Sequence, residues 1–375
     1  MPAPDDLAVH PGAAWADLRG PLRQILTGEV DRPVVVATSG SSGTPKQVRL
    51  PASALRASGT GTAQHLGGHA QWLLTLPTHH VAGLQVLARS ALASTDPVEL
   101  DPGEPFTASG FARAVSRLDP GVRHHVSLVP TQLHRVLGDP AGAAALRAFD
   151  AVLVGGSASD DGLLRRAQDA GAQVVTTYGM SETCGGCVYD GVPLPGVRVE
   201  VTPQGRIWLG GPVLAEGYVG DPDRTARAFV TDESGRWFVT EDRGVCRSGR
   251  LAVLGRVDDV IVTGGHKVEP RDVEAALHAL PEVQDALVVG VEDPEWGQRV
   301  AALVTLAPGG EGRVDGGEGL PPLLRDALRP HLPAHALPRA LEVVDELPLL
   351  ESGKPDRAAA RRLLLRGGRM GSHLH

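Results

Sequence analysis

Thr38, Ser39, Gly40, Ser41, Ser42, Gly43, Thr44, Pro45 and Lys46 gather hydroxyls, glycines and a cation into one stretch. Glycines let a backbone approach a ligand closely, hydroxyls donate hydrogen bonds to phosphate oxygens, and a lysine adds a point charge. The chemistry this combination serves is phosphate binding. The apolar run Val34, Val35, Val36, Ala37 directly before it reads as a buried strand that delivers the loop. A solvated Ser/Gly linker would explain neither that strand nor the Pro-Lys ending. The stretch is not a G-x-x-x-x-G-K-[ST] loop, because Gly40 and Gly43 stand too close together and Gln47 follows the lysine.

Other chemically capable groups follow in order: the adjacent His79 and His80, the turn Gly155, Gly156, Ser157, and the run Thr177, Tyr178, Gly179, Met180, Ser181, Glu182, Thr183. Cys184 and Cys187 have C-x-x-C spacing, but no second such pair and no flanking thioredoxin-like pattern supports redox or metal chemistry. Near the other end Lys354 sits in a Ser-Gly turn; taken alone it reads as a surface lysine.

Alternating strands and helices position these groups. The pattern predicts helices over 15–26 and 53–66, a strand over 71–76, an Ala/Leu-rich helix after Leu84, then strand 98–100, helix 106–118, strand 125–129, helix 131–137, strand 151–154, helix 160–170 and strand 173–176. Such alternation makes an α/β domain with a largely parallel sheet. His79 and His80 fall between a strand end and a helix start, a usual ligand position in α/β folds; a ring that caps the helix or fills core is the alternative. From Val197 short β-like runs predict a β-rich subdomain, and Asp258-Asp259 reads as a hairpin turn. Helices over 271–280 and 320–332 with strands over 286–290, 300–306 and 341–344 predict a small α+β domain, and the Gly-rich 308–319 reads as a mobile loop.

At 375 residues the chain exceeds one typical domain. Hydrophobic residues at 42% are ample for burial, while aromatics at 3% require an aliphatic core. A net charge of -8 without a long basic run argues against nucleic-acid binding. Three cysteines make no paired disulfide framework, so a reducing cytoplasm is the expected compartment. No signal-peptide pattern opens the chain, and no apolar run approaches the roughly 20 residues of a membrane span, so no membrane insertion is expected.

The 38–46 loop resembles the phosphate-binding signature of the adenylate-forming superfamily of acyl-CoA synthetases, luciferases and peptide-synthetase adenylation domains. Further motifs resemble that family's in its own order. Gly155, Gly156 and Ser157 match its adenine-side turn. The run 177–183 resembles Y-G-x-[ST]-E, in which Tyr178 stacks on the purine, Ser181 bonds a phosphate and Glu182 gives Mg²⁺ a hard oxygen ligand. Trp237 to Asp242 resembles the aromatic-x-T-G-D element, with Glu241 where the family has glycine, and makes Asp242 the ribose ligand. Gly255 to Ile261 resembles the interdomain hinge motif, with Arg256 toward ribose or phosphates and Asp258 as the pivot. Gly264 and Gly265 match the turn beside the pantetheine tunnel, with Lys267 on the coenzyme A side. Pro348 to Lys354 resembles P-x-x-x-x-G-K and assigns Lys354 to adenylation.

The resemblance implies a large N-terminal domain over 1–257, with mostly parallel sheets flanked by helices and a small β subdomain, a small mobile α+β domain over 258–366, and a tail over 367–375. It implies an ATP-, Mg²⁺- and coenzyme A-dependent reaction: a carboxylate attacks the α-phosphorus, giving acyl-adenylate and pyrophosphate, and a thiol then displaces AMP. Relatives carry a long segment ahead of the phosphate loop, which here begins at Thr38, so the front of the large domain, and any homo-oligomer built on it, is expected to be shortened. The compact form, and the run from Thr177 to Gly191, resemble the short actinobacterial o-succinylbenzoate–CoA ligases of menaquinone synthesis. The acid pocket is then expected around His79, His80, Gly83, Thr177, Met180 and Thr183, with a cation or several donors for the second carboxylate. Other acyl- or aryl-CoA ligases, and adenylating enzymes that load a carrier protein, share every motif; a nucleotide-binding protein without activity would not need Glu182, Asp242, Arg256 and Lys354 intact.

Overall fold

The computed structural model describes residues 3, 6–38, 46–101, 103–307, 320–350 and 354–370. The loop residues 39–45 and the Gly-rich stretch expected to be a mobile loop at 308–319 lie outside the described residues. The chain forms two compact units. The first comprises 1–240, 245–252 and 351–354; the second comprises 241–244, 253–350 and 355–375.

In the first unit, short aliphatic runs make the expected parallel sheet. Its seven strands lie in the order Val192–Pro193, Gly185–Tyr189, Val174–Met180, Ala151–Val154, His124–Leu128, Gln71–Leu74, Val98–Glu99. The last five are mutually parallel, and Gly185–Tyr189 turns back antiparallel on Val174–Met180. Strands in such sheets are covered on both faces, which is why they read as unbroken hydrophobic runs rather than alternations. Val126, Leu128, Val152 and Val154 accordingly pack with Phe111, Leu133 and Leu163 of the flanking helices. The chain runs from Gln71–Leu74 to one neighbour, Val98–Glu99, and then crosses to the other, His124–Leu128. A reversal of this kind leaves a crevice at the carboxyl ends of the strands.

A second, smaller sheet joins Val34–Ala37, Gln47–Leu50 and Gly217–Tyr218. Val34–Ala37 and Gln47–Leu50 pair antiparallel, from Val34 with Leu50 through Ala37 with Gln47. The expected β-rich segment is a third sheet, which includes Arg198–Val201, Arg206–Gly210, Phe229–Asp232 and the 13-residue strand Gly235–Arg247.

In the second unit, Val283–Asp293 and Gly297–Leu306 pair along nearly their whole length. Alternate residues bury on opposite faces. Val288, Val300, Ala302 and Val304 pack against Val273, Leu277 and Leu328, while Leu287, Val289, Ala301 and Leu303 face Ala360 and Leu364. The last two, four positions apart, form one stripe of the helix Arg357–Met370. Asp356 caps that helix, accepting from the Ala359 N–H at 2.8 Å.

Candidate active site

Candidate residues of the first unit follow the carboxyl ends of strands in the parallel sheet. Gly155, Gly156 and Ser157 directly follow Ala151–Val154, the stretch from Thr177 to Met180 ends Val174–Met180, and His79 and His80 lie past the end of Gln71–Leu74. Close backbone contacts explain the glycines here. A Cβ on Gly155 would meet Thr177 Oγ1 at 2.2 Å, and one on Gly179 would meet the Gly185 carbonyl oxygen at 2.1 Å. Gly156 has φ +87°, and the space above it is bounded by Val129 and by Lys354, whose Cε would stand 3.7 Å from a Cβ there. Lys354 groups with the first unit, in a loop closed by the antiparallel bridge between Leu349 and Pro355.

His79 is buried and His80 half-buried, with ring centroids 4.3 Å apart. His80 takes the N-cap position of Val81–Leu92, with no cap hydrogen bond from its own side chain. Gly83 is pressed on the strand's exit: a Cβ would fall 2.2 Å from the Pro77 carbonyl oxygen.

Past Met180 the chain makes a 3₁₀ turn, Ser181–Thr183. The Thr183 hydroxyl accepts from the Met180 N–H at 3.0 Å and lies 2.8 Å from the Gly185 carbonyl, so it locks the turn. Glu182 is 8% exposed, and its Oε1 accepts a hydrogen bond from the Tyr218 hydroxyl at 2.8 Å. No group of three or more His, Cys, Asp or Glu side chains among the described residues could hold a metal ion. A single buried carboxylate, with a hydrogen bond to one of its oxygens among the described residues, suits Mg²⁺, which keeps waters and takes one or two carboxylates together with substrate phosphates. The donor set therefore fits that ion.

Of the phosphate-loop candidates, Ser39, Gly40, Ser41, Ser42, Gly43 and Thr44 lie outside the described residues. Thr38 and Lys46 close the mouth of that loop: the Thr38 N–H donates to the Lys46 carbonyl at 2.7 Å, and the Lys46 N–H donates to Thr38 Oγ1 at 3.3 Å.

Behind the Thr183 turn lies a buried polar network. Gln85 Nε2 and the Ser58 hydroxyl both donate to the Cys184 carbonyl, at 2.7 and 3.1 Å. Arg89, 5% exposed, donates from Nη2 to the Tyr189 hydroxyl at 3.1 Å and lies over the Trp72 ring at 4.9 Å. Its Nε has no hydrogen-bond partner, and no carboxylate pairs with it among the described residues. Tyr189 stands opposite Thr177 in the strand register. Burial pushes the Cys187 thiol up to about 12 and the Cys184 thiol further still, and neither is in a disulfide. Such thiols are inert.

The remaining candidates belong to the second unit. The Val257 N–H donates to the Glu241 carbonyl at 2.8 Å, which brings Asp242 beside Arg256. Burial works against the Arg256 charge, but its hydrogen bonds to Asp258 outweigh it and the pKa is raised. Burial pushes the Asp258 carboxyl up, and Arg256 overcomes this and holds it below the usual carboxylate range. Asp258 lies in a turn, 257–259, but not in the expected hairpin: the flanking strands Arg250–Arg256 and Ile261–Thr263 belong to different sheets, so the turn carries the chain from one sheet to the next. Gly264 and Gly265 have φ +55° and +79° in the tight turn between Ile261–Thr263 and His266–Val268; a Cβ on Gly264 would strike the Trp296 ring at 2.5 Å. Lys267 is exposed on the returning strand.

Residues 31–219 match the sequence pattern of AMP-binding enzymes, and 272–354 match that of the AMP-binding enzyme C-terminal domain. The chain belongs to the AMP-binding enzyme family. Within that family it is 47% identical, over 341 residues, to the probable 2-succinylbenzoate–CoA ligase of Mycobacterium tuberculosis, covering 88% of this chain and 84% of the relative. It is 35% identical, over 280 residues, to the 2-succinylbenzoate–CoA ligase of Salmonella typhimurium, covering 72% of this chain and 57% of that one. Among solved AMP-binding enzymes, the o-succinylbenzoate CoA synthetase of Bacillus subtilis in complex with its acyl-adenylate intermediate superposes with a TM-score of 0.72 at 26% identity, over 88% of this chain and 68% of that one. The adenylate-forming architecture, a large N-terminal α/β domain and a small C-terminal one, is thus the fold of this chain, as its motifs imply.

Two residues of this site carry no signal in the sequence. Tyr218 is separated from Glu182 by 36 positions, and Arg89 reads as an ordinary cation within an Ala/Leu-rich helix.

Proposed function

We propose that this chain is an ATP-dependent, AMP-forming acid–CoA ligase that activates 2-succinylbenzoate for menaquinone synthesis in the cytoplasm. The observation that carries the reading is the 47% identity, across nearly the whole chain, to a probable 2-succinylbenzoate–CoA ligase. The three cysteines, none in a disulfide, fit a reducing compartment.

The difficulty of the first step is electrostatic: a carboxylate must approach a polyphosphate while negative charge grows on oxygens bound to phosphorus. Lys354, near Gly156, supplies a cation between the acid and the α-phosphate. The 38–46 loop and Ser181 hold phosphate oxygens, Thr177 and Tyr178 line the adenine side with Gly155 to Ser157, and Asp242 takes the ribose hydroxyls. Glu182 would hold Mg²⁺, whose chemistry when bound is to neutralise phosphate charge. No general base is required, since the acid is already ionised. The carboxylate oxygen bonds to the α-phosphorus as pyrophosphate leaves; the thiol sulfur then bonds to the acyl carbon, the thiol proton goes to solvent, and AMP departs. For the second step the Lys354 segment swings away about Asp258 and the Gly264–Gly265 side, with Lys267, admits coenzyme A.

The second carboxylate of the diacid is met by donors among His79, His80, Thr177 and Thr183, with Gly83 and Met180 shaping the pocket. Pyrophosphate release measured across a panel of acids, with and without coenzyme A, tests the assignment. Release that requires 2-succinylbenzoate, with thioester formed only when coenzyme A is added, supports it; preference for a simple monocarboxylate, or transfer only to a carrier protein, overturns it.

A further inference from the structure

Tyr218 is held in place from several sides. Gly217 and Tyr218 pair with Arg49 and Val48, so the ring stands on the strand next to the one that leaves the phosphate loop at Lys46. The Tyr218 N–H donates to Thr225 Oγ1 at 2.9 Å, and Thr225 in turn donates to the Asp221 carbonyl at 2.9 Å, which anchors the strand to the helix Pro222–Ala228. Gly217, with φ +153°, lets Thr225 in: a Cβ there would lie 2.3 Å from Thr225 Cγ2. From this anchorage the hydroxyl reaches Glu182 Oε1 at 2.8 Å, and the Lys46 ammonium lies 5.8 Å from the ring centroid. One side chain thus touches both the buried carboxylate and the cation at the end of the phosphate loop.

We propose that Tyr218 is a positioning residue for the metal–phosphate site: its hydroxyl fixes Glu182 so that the second carboxylate oxygen faces the ion, and its ring holds Lys46 toward the phosphates. A carboxylate free to rotate would bind a metal more weakly, since it would have to be ordered on binding, and partners that orient a metal ligand typically matter tenfold or more in metal affinity. The hydroxyl donates to a charged acceptor, the stronger kind of hydrogen bond. The inference rests on the reading of Glu182 as the Mg²⁺ ligand, and not on which acid is used.

The test is Tyr218→Phe, which removes only the hydroxyl and keeps the ring beside Lys46 and Phe229. Manganese binding to the complex of the protein with a non-hydrolysable ATP analogue is followed by electron paramagnetic resonance, with AMP binding by calorimetry as a metal-free control. The expected result is a metal dissociation constant raised about tenfold with AMP affinity within about twofold, and no further loss when Tyr218→Phe is added to Glu182→Gln. In steady state the Mg²⁺ requirement rises while kcat at saturating metal is kept. Unchanged manganese binding, an equal loss of AMP affinity, or losses that simply add in the double variant would each overturn the proposal. Failure of the protein to use 2-succinylbenzoate would leave these readouts intact, so the two readings fail separately.

Discussion

Arg256 presents Nε and Nη2 to the two carboxylate oxygens of Asp258, each at 2.8 Å. The cation assigned to the nucleotide and the carboxylate assigned to the hinge are each other's partners, two positions apart across a tight turn. Arg256 is half-buried and Asp258 more open to water, so solvent screens the pair and it is worth at most about 1 kcal/mol to stability. Because Asp258 titrates below its usual range in the folded chain, that contribution is full above the unfolded carboxyl value, about 4, and is lost as the pH falls through the lower folded value. Asp258→Asn should lower the urea midpoint slightly at pH 7, and the gap from the parent should narrow below about pH 4. A gap that widens in acid would contradict the pairing.

His125 offers a larger effect of the same sign. It is 1% exposed, packs edge-on against Trp72 at 5.1 Å, and its Nε2 has no hydrogen-bond partner. Burial lowers its pKa to about 4. The unfolded chain then takes up a proton near pH 6.5 that the folded chain refuses, so stability is full above about 6.5 and is lost on acidification toward 4, by about 3 kcal/mol. His125→Leu removes the titration and the unsatisfied nitrogen together, and should flatten the dependence of the denaturation midpoint on pH across this range. An unaltered slope in that variant would assign the acid sensitivity elsewhere.

Arg89→Met keeps an apolar stem while removing the charge, the hydrogen bond to the Tyr189 hydroxyl and the packing over Trp72. It should lower stability by about 1 kcal/mol, the scale of losing one buried hydrogen bond, read as a lower urea midpoint at pH 7. An unchanged midpoint would mean that the contacts behind Tyr189 do not hold this part of the fold.

Much of this arrangement is legible in the chain itself, for physical reasons. The parallel strands of the large sheet are buried on both faces, so Ala151–Val154 and its neighbours are written as short aliphatic runs with turn residues at their carboxyl ends, where the motifs lie. Gln47–Leu50 is not readable in this way, because alternation of Val48 and Leu50 with Gln47 and Arg49 over four residues gives too short a pattern. The helix Arg357–Met370 is hidden by its arginines: among its described side chains Ala360 and Leu364 are the buried ones that face the sheet, a stripe too narrow to stand out. The stretch from Thr177 to Met180 looks like the approach to a helix, but its pairing with Gly185–Tyr189 continues the strand through it and leaves Ser181–Thr183 as a single turn. Arg89 and Tyr218 owe their places to contacts with Tyr189 and Glu182, distant in sequence, and no local pattern encodes such contacts.

The proposed chemistry depends most on Lys354 serving the first step and not the second. Exchange of labelled pyrophosphate into ATP, dependent on 2-succinylbenzoate and run without coenzyme A, isolates that first step. The parent protein should catalyse it, and Lys354→Ala should lose it by about a thousandfold, the scale of removing one charge-stabilising group from a transition state. The same variant should still convert pre-formed 2-succinylbenzoyl-adenylate and coenzyme A to thioester. Exchange that survives in Lys354→Ala, or ADP and phosphate as the products of the parent, would contradict the proposed chemistry.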